Sequence, residues 1–260
     1  MSIGLRVGAD RVAEIRLERP QRANALDLEH AREMAAHVAE CGRRDDVGAI
    51  LISAEGAAFC AGGDIGHFGA EIDRADAVIA QMVEEMHAVI RALAALPMPV
   101  IVAVNGPAAG LGLSLVCLAD LAVAAGEASF KVAYTEIGLC PDGGSSWLLP
   151  RLVGRAAAAD LILTNRVVDA AAALELGIVS RLVAADDLAG KAREIAATLA
   201  AGSLPAHAAV RRLLLESSTS TFAEQLELEA AEIVRLAGSE GGREGIAAFL
   251  EKRPPNFGAG

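Results

Sequence analysis

The chain has 260 residues, a formal net charge of −11, 53% hydrophobic residues and only 3% aromatics. That length fits one large domain or a core with an appendage, and the acidic balance disfavours nucleic acid as a general partner, because gripping phosphates needs a basic face. The longest apolar stretches are broken by Pro, Asn and Gly, so no membrane span is expected, and the N-terminus lacks the basic head and apolar run of a secretion signal.

In chain order, residues 3–18 are predicted as a β-hairpin. "LRV" and "AEIRL" flank a turn at Gly8-Ala9-Asp10, and Ala13, Ile15 and Leu17 alternate with charged neighbours. Pro20 keeps "RPQRANALD" out of helix. Asp27 is placed to cap a helix running to Gly42, with Leu28, Ala31, Ala35 and Val38 on its apolar side. "AILIS" (49–53), "VIVAV" (100–104) and "LAVAA" (121–125) are short apolar runs of buried-strand type. Between them lie a glycine-rich loop at 56–65, a helical stretch at 73–96 stopped by Pro97 and Pro99, and a second loop that leads into a helix over 106–120. Beyond Pro150 the pattern turns helical, at roughly 155–163, 169–176, 186–201, 206–217 and 222–237, with one strand near 178–183. Strand, glycine turn, helix and strand recur, which argues for α/β with a largely parallel sheet. "AAGSLP" near residue 200 divides the plan into a core over 1–200 and a helical region over 201–260. The four cysteines, Cys41, Cys60, Cys117 and Cys140, are far apart and show no metal-ligand spacing, so they are predicted as buried thiols in a reducing cytoplasm, with no metal.

The loops at 56–65 and 106–112 share a design. Each follows a buried strand, and each is rich enough in Gly and Ala to present bare backbone N–H groups. Two such groups aimed at one point make an oxyanion hole. Alternatively, the small residues only let strands and helices approach closely. Neither loop has a nucleotide fingerprint.

Taken together, "AFCAGGDI", "PVIVAVNGPAAGLGLSLVCLADLAVAA", "IGLCPDGGSSWLLPRLVG" and "LTNRVVDAAAALELGIVSRLV" resemble the enoyl-CoA hydratase/isomerase superfamily, the crotonases. "LERPQRANALD" and "IAAFLEKRPPNF" fit the same pattern, so the resemblance spans about residues 10–257. It implies an α/β fold, a spiral of ββα units with a helical C-terminal trimerisation region. It implies an acyl-CoA thioester as substrate, no separate cofactor, a homotrimer or hexamer, and a cytoplasmic enzyme. The matching oxyanion-hole positions are Gly63 and Leu111, through their backbone N–H groups. The CoA positions carried over are Ala23, Ala25, Ala61, Asp64 and Ile65. Phe249 and Lys252 match positions that reach a neighbouring subunit's CoA in some members, though Lys252 reads equally well as an ordinary surface lysine.

The reaction is less readable. Typical hydratases of the family carry two glutamates, and the matching positions here are Ser114 and Tyr134. Asp142, the only charged residue of "GLCPDGGSSW", stands at the position from which an acid moves the proton in members that shift double bonds, including the ring-epoxide isomerase of phenylacetate breakdown. One carboxylate serves both steps of such a shift, because it is an acid once it has taken the first proton. Its alternative role is to cap the helix that starts near Ser145. Tyr134 is placed to line the acyl pocket or donate a hydrogen bond, or else is simply a half-buried aromatic, and Glu136 is a reserve carboxylate. His87 keeps a rival open: in dehalogenase-type members an aspartate attacks an aromatic ring and a histidine on the preceding helix activates water. Asp142, Tyr134 and His87 fall at comparable spacings, although the dehalogenase aromatic is tryptophan. Hydration also remains open. RNA binding and a peptidase fit less well, given the acidic charge and the lack of a G-x-S-x-G elbow.

Overall fold

The computed structural model describes residues 2–70 and 72–258. Its first elements are β1 (Ile3–Val7) and β2 (Val12–Leu17), an antiparallel hairpin. From β2 the sheet continues in parallel through β3 (Ala49–Ala54), β4 (Val100–Val104), β6 (Leu121–Ala125) and β9 (Arg181–Val183), in the order β1-β2-β3-β4-β6-β9. The strands read as unbroken apolar runs because both faces are covered. Ile50, Ile52, Val100 and Val102 point to one side, against α1 (Leu28–Gly42) and α3 (Ala75–Ala95). Ala49, Leu51, Ile101, Ala103 and Val123 point to the other, against α8 (Leu188–Ala200). That helix offers Leu188, Ala192, Ala196 and Ala200, one residue per turn, so it lies close to the sheet. Gly48 meets it where an added Cβ would sit 2.6 Å from the Ala200 carbonyl oxygen.

A second, smaller layer holds the site. After β4 come β5 (Ala108–Ala109) and α4 (Leu111–Leu118), and after β6 comes β7 (Ser129–Lys131). β5 pairs parallel with β7, which pairs antiparallel with β8 (Val168–Asp169). The loop after β3 joins this layer through bridges from Cys60 to Ala108 and from Gly63 to Leu26. Thus β4 with β5, and β6 with β7, each add one strand to either layer, which is the spiral the resemblance implies. These strands of two or three residues are too short to show periodicity, so the sequence pattern does not mark them.

The remaining helices are α2 (Ile65–Ala70), α5 (Ser145–Val153), α6 (Arg155–Thr164), α7 (Ala170–Leu176), α9 (Leu204–Glu216), α10 (Phe222–Ala237) and α11 (Glu240–Glu251). α5 starts at Ser145, as expected, and runs through Pro150 to Val153, although a proline removes one backbone donor inside a helix. Two points depart from expectation. α11 forms despite Gly241, Gly242 and Gly245, because Ser239 caps it by accepting from the Gly242 N–H, and an added Cβ at Gly242 would sit 2.0 Å from the Leu236 carbonyl oxygen. Cys140 is exposed, whereas Cys41, Cys60 and Cys117 are buried. α9 is tied to the core by Arg211, which reaches the Asp120 carboxylate at 2.7 Å and the Leu93 and Leu96 carbonyls that end α3. On α10, Leu226 and Ile233 face outward rather than into the chain's own core. Among the described residues, no helix is long and apolar enough to cross a membrane.

Candidate active site

The loop after β3 is shaped by buried Asn24. Its side-chain amide donates to the Glu55 and Ala58 carbonyls, both at 2.9 Å. Arg19 adds a second brace, binding Asp64 at 3.0 Å, Asp27 at 3.3 Å and the Ala25 carbonyl at 3.0 Å. Asp64 also donates its backbone N–H to Leu26, while Leu26 donates to the Gly62 carbonyl, both at 2.8 Å. These bonds hold Gly62-Gly63 from either side and leave the Gly63 N–H without a protein acceptor among the described residues.

The second loop meets the first at this point. The Ala109 N–H donates to the Cys60 carbonyl at 2.9 Å. Gly62 has φ +96°, and an added Cβ would stand 3.0 Å from the Ala109 oxygen and 3.3 Å from the Leu111 nitrogen. Gly110 (φ 52°, ψ −121°) then turns the chain into α4, whose first residue is Leu111. The opening N–H groups of a helix have no intrahelical partner. The Gly63 and Leu111 amides therefore border one cavity as two donors with no acceptor among the described residues, the composition of an oxyanion hole.

That cavity has a volume of about 610 Å³. Ile79, Met82 and Val83 of α3 form one apolar wall, and Ile137 and Leu139 another. Asp142 projects into it and receives a short hydrogen bond from the Tyr134 hydroxyl on Oδ1. Burial raises the Tyr134 pKa far above the ordinary phenol value, and the charge and hydrogen bond of Asp142 add to that rise. The phenol thus stays a donor at working pH, and Oδ2 is left without a hydrogen-bond partner among the described residues.

The peptide unit between Asp142 and Gly143 is gripped at both ends. The Asp142 carbonyl accepts from Ser114 Oγ at 3.2 Å, Ser145 Oγ at 2.9 Å and the Ser145 N–H at 3.1 Å. On its far side the Gly143 N–H donates to His87 Nε2 at 3.2 Å. Gly143 has φ +59°, and an added Cβ would lie 2.5 Å from Leu111 Cδ1 and 3.0 Å from Ser114 Cβ. The carboxylate arm is thereby packed directly onto the second glycine loop.

The structure thus brings Gly63, Leu111, Tyr134, His87 and Asp142 around one cavity, with Ala61 and Ile65 on its border. Ala23 (φ 49°) accepts from the Ala61 N–H at 2.9 Å, and Ala25 is buried close by. Asp64 is turned inward, its carboxylate held by Arg19. Phe249, 82% exposed, and Lys252 lie at the end of α11 and do not line this cavity. Glu136 borders the cavity but pairs with Lys131 at 2.7 Å. Trp147 stacks on Arg151, 3.7 Å from guanidinium carbon to ring centroid, and is not part of the lining. The sequence reading missed the roles of Ser114, Ser145, Asn24 and Arg19. Each acts on a neighbouring main chain or ion pair, and no spacing rule marks such partners.

Fold and site together suit an enzyme of the crotonase class. The chain matches the enoyl-CoA hydratase/isomerase family over residues 8–260 and belongs to that family. It is 39% identical over 246 residues to a probable enoyl-CoA hydratase of Rhodobacter capsulatus, covering 95% of this chain and 94% of that protein. It is 36% identical over 248 residues to the 1,2-epoxyphenylacetyl-CoA isomerase of Escherichia coli K12, with coverage of 95% and 94%. The crystal structure of an enoyl-CoA hydratase from Polaromonas sp. JS666 superposes with a TM-score of 0.93 at 35% identity, covering 98% of each chain. These relatives share the crotonase fold but carry different reaction names, so likeness alone does not select the reaction.

Proposed function

We propose that this enzyme is an acyl-CoA isomerase that shifts a double bond in an enoyl-CoA thioester, with Asp142 as the single acid–base group. The observation that carries this is the pairing of one free carboxylate oxygen with two unspent backbone donors around one apolar cavity. The thioester oxygen accepts from the Gly63 and Leu111 N–H groups, which makes the carbon beside the carbonyl more acidic and stabilises the dienolate. Asp142 Oδ2 takes a proton from that carbon of a 3-enoyl-CoA and returns it two carbons further on, giving the 2-enoyl isomer. Tyr134 holds Oδ1 so that the same oxygen serves both steps.

Hydration by the usual pair of glutamates has no support in these side chains. Ser114 is fully buried and bound to the Asp142 carbonyl, and the Tyr134 hydroxyl is committed to the Asp142 carboxylate. CoA is assigned to the groove bordered by Ala23, Ala25, Ala61, Asp64 and Ile65, mainly through backbone atoms. The side chains Leu214, Phe222, Ile233, Val234, Phe249 and Leu250 of the C-terminal helices are large, apolar and exposed. They suit a homotrimer or hexamer, in which Phe249 and Lys252 meet a neighbouring subunit's CoA.

The test is turnover of a 3-enoyl-CoA in D₂O. Transfer by one carboxylate carries part of the original proton to the new position, so the 2-enoyl product contains less than full deuterium there. Fast water addition to a 2-enoyl-CoA, or a covalent aspartyl intermediate, would overturn the assignment.

A further inference from the structure

We infer that His87 is a positioning residue whose Nε2 lone pair is committed to the Gly143 amide, so that it sets the direction of Asp142 and is not available to activate water. This rests on the isomerase assignment for its consequence, but not for its geometry. A backbone N–H can only donate. The ring nitrogen 3.2 Å from it must therefore accept, and an imidazole nitrogen accepts only when it carries no proton. His87 is thus held as the tautomer with its proton on Nδ1.

The consequence follows from which peptide is gripped. The Gly143 N–H and the Asp142 C=O belong to one rigid planar unit. Ser114 and Ser145 hold its oxygen, and His87 holds its hydrogen. Rotation of this unit would swing the Asp142 side chain, which projects from the atom directly before it. His87 comes from buried-faced α3, whose Met82, Met86 and Val89 are packed into the core, so the acceptor is fixed in space. At Gly143 (φ +59°) an added Cβ would lie 2.5 Å from Leu111 Cδ1, so the chain passes close to the second glycine loop here.

This arrangement separates two chemistries of one cavity. A water-activating histidine needs a free basic nitrogen facing the substrate. With Nε2 occupied, Asp142 is the base, and proton return by that same carboxylate is favoured over transfer to water.

Two measurements test the inference. First, ¹⁵N spectra of the full-length wild-type protein labelled at its histidines, with His87→Gln to assign the His87 signal, should show a neutral ring protonated on Nδ1. A ring protonated on Nε2 would overturn the proposal. Second, with the 3-enoyl-CoA as substrate, His87→Ala should lower kcat roughly tenfold to a hundredfold by leaving the Gly143 donor unpaired, with KM changed by less than about threefold. His87→Gln, whose amide oxygen can accept the same N–H, should recover most of that loss, to within about fivefold of wild type. An unchanged kcat in His87→Ala, or a glutamine variant as slow as the alanine variant, would contradict the positioning role. The tautomer experiment needs no substrate, so it can fail while isomerase activity stands, and the reverse.

Discussion

The two halves of the site are built from different materials. The junction of the glycine loops presents main-chain amides, fixed by backbone bonds such as Ala109 to Cys60 and Leu26 to Gly62. The arm that carries Asp142 presents side chains, fixed by Tyr134, Ser114, Ser145 and His87. The difference teaches which half says what. A pair of amides recognises any thioester carbonyl, so it is what relatives with different reactions can share. In the proposed mechanism the arm decides where a proton goes, and Ser114 of α4 and Tyr134, which hold it, stand at the positions of the expected glutamates.

Substitutions should separate the halves. Asp142→Asn is expected to give the largest loss, about 10²–10⁴ in kcat, with little change in CoA binding or melting temperature, measured by steady-state kinetics, calorimetry and thermal melts. Retained activity would leave the aspartate only a structural part, as the acceptor of the Tyr134 hydroxyl, since it makes no side-chain cap on α5. Gly62→Ala attacks the other half, because a side chain is strained at its positive φ and the added methyl would press on the Ala109 oxygen at 3.0 Å and the Leu111 nitrogen at 3.3 Å. Displacing one oxyanion donor should cost about 10²–10³ in kcat, together with a lowered melting temperature. Tyr134→Phe keeps the packing and removes the bond to Oδ1, and a loss of roughly tenfold in kcat is expected.

The cysteines give a smaller contrast between the same halves. Cys140, in the arm, is exposed and lines the cavity, whereas Cys60, in the junction, is buried. Brief iodoacetamide treatment of the native protein should label Cys140, leave Cys60 intact on peptide mapping, and inhibit turnover. Burial pushes the Cys60 thiol up to about 12 from its ordinary value of 9.0. The folded state therefore keeps a proton that the unfolded chain releases above pH 9, so stability is full below that pH and falls as pH rises towards 12. Cys117 is pushed up to about 12 in the same way. Cys60→Ser should flatten, but not abolish, the decline in melting temperature between pH 9 and 11.

Much of this was legible beforehand, and the reasons differ by element. α1 was readable to its cap, because Asp27 accepts from the Glu29 and His30 amides as an N-cap side chain should. The strands β3, β4 and β6 were readable because burial on both faces leaves an unbroken apolar run. β5, β7 and β8 were not, since their identity lies in pairing partners distant in sequence. The glycines of α11 hid a helix whose start depends on Ser239 and on close contact with α10. At the site, Gly63, Leu111 and Asp142 came from motif resemblance. The double use of Ser114, which fills a glutamate position and holds the Asp142 carbonyl, needs three-dimensional contact to be seen. The bond from Gly143 to His87 joins residues 56 positions apart, and no local pattern announces it.

A crystal structure with a bound, slowly reacting 3-enoyl-CoA analogue tests the geometry most directly. The thioester oxygen should lie about 2.7–3.1 Å from both the Gly63 and Leu111 nitrogens, with Asp142 Oδ2 about 3–3.5 Å from the carbon beside the carbonyl. A thioester oxygen bound away from those amides, or an Asp142 carboxylate out of contact with the acyl chain, would contradict the proposed chemistry.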